Sequence, residues 1–215
     1  MSKDKIRFLA TGDFHSDLNL IKAIKKYNNM NELDFILFTG DLSEKDNDFK
    51  KLLGVFKGKE IFMVPGNHEN QKHLNNLKKH YNVHLIGNAP VKVHDDLVLF
   101  GSNYIGIGPY GVFEEEIFEN LVDNFNSVKD HKLKVMLNHI PPLGTKIGDA
   151  SPYVPGSEGV RVFLENFTPD LALCGHIHES SGLEEIVNKT KVINVGRTFK
   201  VFEFDTKKGK LKVLD

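Results

Sequence analysis

The early part of the chain sets three short apolar runs between two segments of helical periodicity, and that alternation restricts the fold more than any other feature. "IRFLATGD" reads as a strand, and "DLNLIKAIKKYNN" follows with Leu18, Ile21, Ala23 and Ile24 near helical spacing and lysines opposite. "FILFTGD" is the next strand, "NDFKKLLGVFKG" the next helical pattern, and "EIFMVPGN" a strand again. Such a series calls for crossover connections and a parallel sheet core, hence an α/β fold. The second half leans towards strands: "DLVLFGSN", "LKVMLNH", "LALCGH", "KVINVGR" and a terminal hairpin "KVFEFDTKKGKLKVLD". "EEEIFENLVDNFNSV" and "GVRVFLENF" read as helices between them. No linker, internal repeat or low-complexity tract interrupts the 215 residues, so one domain spanning 1–215 is expected.

Polar residues collect where these strands stop. The first strand finishes in "GDFHSD", the second in "GDLSE", the third in "GNHE", and later ones in "NHIPP" and "CGHIHE". Sites in open α/β sheets lie beyond the carboxyl ends of strands, so these five ends are candidates to converge. Asp13 and His15 are two apart, as are His176 and His178; in an extended segment each pair would face one point. Asp41 and Asn67 add oxygens and His139 a nitrogen. A tetrahedral zinc takes about four ligands, so this mixed set suits two divalent ions sharing a carboxylate. With no thiolate cluster, oxygen and nitrogen donors point to Mn, Fe, Zn or similar ions.

Composition narrows the partners. Lys plus Arg number 28 and Asp plus Glu 29, giving a net charge of −1, too little cation for a protein built to grip a nucleic-acid backbone. A small phosphate ester remains compatible as substrate. The one cysteine, Cys174, excludes an intrachain disulfide and suggests a cytoplasmic setting. The amino terminus reads as no signal peptide, and no window reaches the roughly 20 apolar residues of a membrane helix. The oligomeric state is left open.

The motifs "GDFHSD", "GDLSE", "GNHE", "NHIPP" and "GHIH" resemble, in order, those of the calcineurin-like metallophosphoesterase superfamily, and they run from residue 12 to residue 178. The resemblance implies two mixed β-sheets packed face to face and flanked by helices. It implies Asp13, His15 and His178 on one metal, Asn67, His139 and His176 on the second, and Asp41 bridging. His68 matches the histidine that contacts the phosphate and assists the leaving group. The implied reaction is in-line attack on a phosphodiester or phosphomonoester by a hydroxide bridging two metals. Between the esters the short chain, without a visible cap, leans to the diester. Relatives that serve as protein-interaction scaffolds and relatives that are DNA nucleases are the alternatives. All eight positions are filled here, against the first, and neither a capping segment nor a basic surplus is present, against the second.

Blander readings accompany each residue. Asp13 and Asp41 also suit helix caps, and His139 a buried structural histidine. His73, His80, His84, His94 and His131 read as surface residues. Glu69 either orients His68 or caps the next helix, with the cap favoured. Arg197, where the family often has a small residue, either reaches a substrate phosphate or makes a surface ion pair. Segment 103–111 and the longer 141–159 read as substrate-facing loops, the second a rim or lid, with Tyr104, Tyr110 and Tyr153 for stacking on a ring or packing the loops.

Overall fold

The structure, a computed structural model, describes residues 3–27, 29–43, 46–103 and 113–214. Along the chain run β1 (Lys5–Thr11), α1 (Leu18–Lys25), β2 (Phe35–Phe38), α2 (Asp46–Leu53), β3 (Glu60–Met63), α3 (Gln71–His80), β4 (Val83–Leu85), β5 (Val91–His94) and β6 (Leu97–Gly101). There follow α4 (Glu114–Asn126), β7 (Leu133–Leu137), α5 (Glu158–Asn166), β8 (Leu171–Cys174), β9 (Glu184–Val187), β10 (Thr190–Asn194), β11 (Phe199–Asp205) and β12 (Lys210–Leu214). One six-stranded sheet has the order β12-β11-β1-β2-β3-β4 and the other β5-β6-β7-β8-β10-β9. In the first, β1 to β4 are parallel and β11 and β12 antiparallel; in the second, β6, β7, β8 and β10 are parallel. Both sheets are mixed, as the family resemblance implied.

Strand alternation builds the layers. Ile6, Phe8 and Ala10 of β1 face the second sheet and pack with Leu99, Val135 and Leu173, whereas Leu9 faces the helices α1 to α3. Register places Phe202, Phe8 and Phe35 side by side on three adjacent strands, and Phe8 stacks on both neighbours at 4.9 and 5.0 Å. On the outer face of the second sheet Phe100, Met136 and Cys174 pack against α4 and α5 through Ile117, Leu121 and Phe163. The order is helix, sheet, sheet, helix.

Several expectations need correction. In α1 the buried stripe is Leu20, Ile21 and Ile24, while Leu18 and Ala23 face solvent. The strands not foreseen, β4, β5 and β9, are all sheet edges or pair beside one, and their sequences "VHL", "VKVH" and "EEIV" carry the polar residues that edges tolerate. His73 is buried rather than on the surface, because it lies one turn from Leu77 on the inner stripe of α3, edge-on to Phe49. His94 and His131 are half-buried, and only His80 and His84 of that group are exposed. Among the described residues no helix is long and apolar enough to cross a membrane.

Candidate metal centre

β1, β2, β3, β7 and β8 all end at the same edge of the two-sheet core, and the loops leaving them carry the seven predicted ligands and His68. Asp13 is fully buried after β1; its N–H donates to the Gly40 carbonyl at 2.9 Å, and its Oδ2 accepts the His176 N–H at 2.7 Å. A Cβ on Gly196 would run into that carboxylate, so the loop after β10 can pass beneath it only as glycine. Gly66 is required for the same reason, lying against Asp41 Oδ1. The opening of "GNHE" is thereby explained: Gly66 gives Asp41 room while the turn brings Asn67 and His68 beside it.

His139, also buried, sits at the centre. Its Nδ1 donates to the Thr39 carbonyl at 2.7 Å, which leaves Nε2 with the lone pair in the neutral ring. Around Nε2 stand Asn67 Oδ1 at 2.9 Å, His176 Nδ1 at 3.2 Å and Asp41 Oδ2 at 3.4 Å. Asp41 Oδ2 is also 3.6 Å from His15 Nε2 and 4.0 Å from His68 Nε2. One carboxylate oxygen thus lies between two groups of candidate ligand atoms. Asp13, His15 and His178 can offer ligand atoms within 4.8 Å of one another, and so can Asp41, His139 and His176. His15, Asp41 and His68 meet the same criterion, but the His68 side chain is 36% exposed and stands on the open side, edge-on to His15.

The donors fit divalent ions on a direct observation. Asp13 Oδ1, His15 Nε2 and His176 Nε2 are buried with no hydrogen-bond partner, which a native interior seldom permits unless something else satisfies them. Burial, joined by repulsion from a charged His139, pulls the His176 pKa down to about 3. Burial also lowers those of His15 and His178, the latter helped by Arg197. Their lone pairs are therefore free at neutral pH. Burial pushes Asp13 up to about 7, with Asp41 adding to the rise. Burial opposes charge on His139, yet Asp41 and Asp13 beside it raise its pKa to about 9, and His139 in turn holds Asp41 well below the usual carboxylate range. A divalent cation bound beside Asp13 and His139 would compete with protons for these groups.

Two expectations about local geometry change. The pairs Asp13/His15 and His176/His178 do not converge by strand alternation: Asp13, His15 and His176 have φ of 48°, 40° and 69°, and His178 opens a short 3₁₀ turn. Left-handed turns aim these side chains, at a backbone cost that functional sites commonly carry. Glu69 does not cap α3, a role taken by Asn70, which accepts the His73 N–H. Its carboxylate instead accepts the N–H groups of Gly66, Asp41 and Leu42 at 2.7, 2.9 and 2.7 Å, tying two site loops together.

Asn194 went unnoticed in the sequence. Buried at the end of β10, it donates to the Ile177 carbonyl and to Ser180 Oγ, and accepts from Gly196, so it holds the "GHIH" turn. Its signal was the same as the others', a polar residue closing an apolar run. Segment 141–159 forms part of the rim: Ser151, Tyr153 and Val154 line the cleft of about 300 Å³ over the histidines. It is held by its own turns, with Leu143 and Ser157 paired, and by Glu185 of β9, which accepts the Ile147 N–H. Tyr153 is 87% exposed there, whereas Tyr104 and Tyr110 lie outside the described residues.

Comparison with known proteins bears on the family and the fold. The Arcobacter nitrofigilis protein named as a probable glycerophosphodiester phosphodiesterase GpdQ is 27% identical over 84% of this chain and 68% of its own. Protein MJ1162 of Methanocaldococcus jannaschii is 27% identical over 98% of this chain and 96% of its own. The crystal structure of TT1561 from Thermus thermophilus shares the fold with a TM-score of 0.70 at 16% identity, over 98% of both chains. The family profile for calcineurin-like phosphoesterases matches residues 6–180, from the first strand of the core to the turn that presents His178. The chain belongs to the calcineurin-like phosphoesterase family.

Proposed function

We propose that the protein is a metal-dependent hydrolase of phosphate esters that uses two divalent ions, Mn, Fe, Zn or similar. Asp13, His15 and His178 would hold one, Asn67, His139 and His176 the other, and Asp41 would bridge. The observation that carries this reading is the place of Asp41 Oδ2, 3.4 Å from His139 Nε2 and 3.6 Å from His15 Nε2, with unpartnered ligand atoms on both sides. Divalent ions held there supply a Lewis acid for the phosphoryl oxygens and a solvent nucleophile at neutral pH.

The remaining chemistry falls to the side chains. His68 lines the cleft at its open face, where a ring N–H would donate to the departing alkoxide oxygen. Thr39 keeps His139 in the tautomer that offers Nε2. Glu69 holds the peptides of Gly66, Asp41 and Leu42, so bridging carboxylate and Asn67 turn keep their spacing. The open cleft and the name of the Arcobacter relative both favour a diester. Cys174 is buried and free, which suits the cytoplasm as the place of action, and the charge balance argues against stable nucleic-acid binding.

The test is metal content of the purified protein, with hydrolysis of an aryl monophosphate and a bis-aryl phosphate in parallel. His68→Gln is expected to lower turnover by about 10²–10⁴-fold with metal content unchanged. Protein that takes up no divalent ion and cleaves neither ester would be a scaffold instead.

A further inference from the structure

Eight described non-glycine residues have positive φ: Asp13, His15, Ser16, Asp41, Asn82, His176, Asn188 and Arg197. Four of them are the proposed ligands Asp13, His15, Asp41 and His176, and Ser16 adjoins His15. Asn82 and Asn188 are of the residue type that tolerates the left-handed region. Arg197, with φ of 54°, is neither ligand nor asparagine, and glycine would occupy its position without strain. Its backbone N–H is bonded to the Gly12 carbonyl at 3.0 Å, beside the Asp13 loop. Strain of this kind gathers at functional positions, and here it sets an arginine at the rim of the centre.

The guanidinium is poorly used by the protein. It is 42% exposed, its Nη2 lies 3.6 Å from Asp17 Oδ2, and its Nη1 lies 3.5 Å from His178 Nδ1. Both separations exceed a good N–H···O or N–H···N bond. Asp17 already spends Oδ1 on the Asn19 N–H at 2.7 Å to cap α1. An exposed ion pair of this length contributes little and does not account for a strained backbone. A planar fork with most of its five donors unspent, against a histidine that lines the cleft, is instead suited to phosphate oxygens.

We propose that Arg197 is a substrate-binding residue that takes non-bridging oxygens of the phosphate ester and extends an open, diester-type site to phosphomonoester dianions. The inference rests on the phosphoesterase reading above. Its physical basis is that a fixed cation attracts a dianion about twice as strongly as a monoanion at equal distance.

The experiment uses Arg197→Gly and Asp17→Asn in the metal-loaded full chain, with inorganic phosphate as calorimetric probe. R197G is expected to melt at the wild-type temperature or above and to keep its metal content. It should bind phosphate about 10–100-fold more weakly, the worth of a charge-assisted fork. It should also lose more kcat/KM on the aryl monophosphate than on the bis-aryl phosphate. D17N, whose amide oxygen can still cap α1, should bind phosphate as tightly as wild type or more so. Phosphate affinity of R197G within about twofold of wild type, equal losses on both esters, or a lowered melting temperature shared with D17N would each assign Arg197 to structure alone. In those cases wild-type hydrolysis still stands. Wild-type protein that binds neither divalent ions nor phosphate overturns both readings.

Discussion

Buried charge is handled differently at the two ends of β1. Near its start, Glu203 on β11 is 2% exposed and is met by Lys5 at 3.0 Å, Arg7 at 2.8 Å and Lys212 at 3.2 Å. Register makes this a row across three strands, Arg7 opposite Glu203 opposite Lys212, with Glu32 adding a second carboxylate to Arg7. Beyond its end, Asp13 is fully buried beside Asp41, and among the described residues its ion-pair partner is the His139 ring, 3.8 Å from Asp13 Oδ1. Hydrogen bonds from Lys5 and Arg7 draw the Glu203 pKa down to about 2, whereas burial drives that of Asp13 up to about 7. One cluster is complete within the chain. The other is short of positive charge, as the proposed metal centre would be without its cations.

The sharpest way to break the comparison is to neutralise one carboxylate at each end. Asp13→Asn is expected to reduce hydrolysis on the order of 10³-fold and to lower bound metal, measured by turnover and elemental analysis. In chelator-treated protein the same change should leave the melting temperature unchanged or raise it. The sign follows from a folded pKa of about 7 above the ordinary value of 3.8: the ionised carboxylate is disfavoured in the folded state at neutral pH, and asparagine removes that cost.

Next in size is the metal itself. Divalent ion at a thousandfold excess over its Kd would stabilise the fold by about 4 kcal/mol. At roughly 2–4 °C per kcal/mol for a chain of this length, chelation should lower the melting temperature by about 8–16 °C. No shift on chelation would place the Asp13 end in the same class as Glu203.

Glu203→Gln should cost about 1–2 kcal/mol by denaturant titration, equally with and without metal, because its cations are exposed lysines and a half-buried arginine that return to water. The smallest effect is on pH. A carboxyl whose pKa falls from 4.5 to about 2 on folding contributes stability that is present above about 4.5 and lost as pH drops towards 2. E203Q should therefore show a shallower loss of melting temperature than wild type between pH 4.5 and 2.5. A parallel pair of curves would mean that Glu203 carries no linkage.

The different behaviour of the two ends also explains what could be read in advance. The candidate ligands were legible where they close an apolar run: Asp13, Asp41, Asn67, His139 and His176 stand where a buried strand has just ended, and parallel strands deliver their ends to one edge. Glu203 gave no such sign, since an alternating "VFEFD" on a strand is as ordinary with its glutamate in water as with it buried. His73 was misread for a related reason: the periodicity of "QKHLNNLKKH" supports an inner stripe through Leu77, but a histidine on that stripe is indistinguishable in composition from one on the surface.

The order of apolar runs and the residues that end them were sufficient, by themselves, for the α/β class and the parallel core, and they named the candidate donors, because periodicity and strand direction are local properties. Only the tertiary structure decided how those donors meet. Left-handed turns rather than extended strands aim Asp13, His15 and His176, Glu69 joins two loops 28 and 3 residues away in sequence, and Asn194 holds a turn formed by another strand. Such features depend on which backbone N–H groups and carbonyls are left unpaired when two sheets close on each other, and that is settled by packing rather than by pattern.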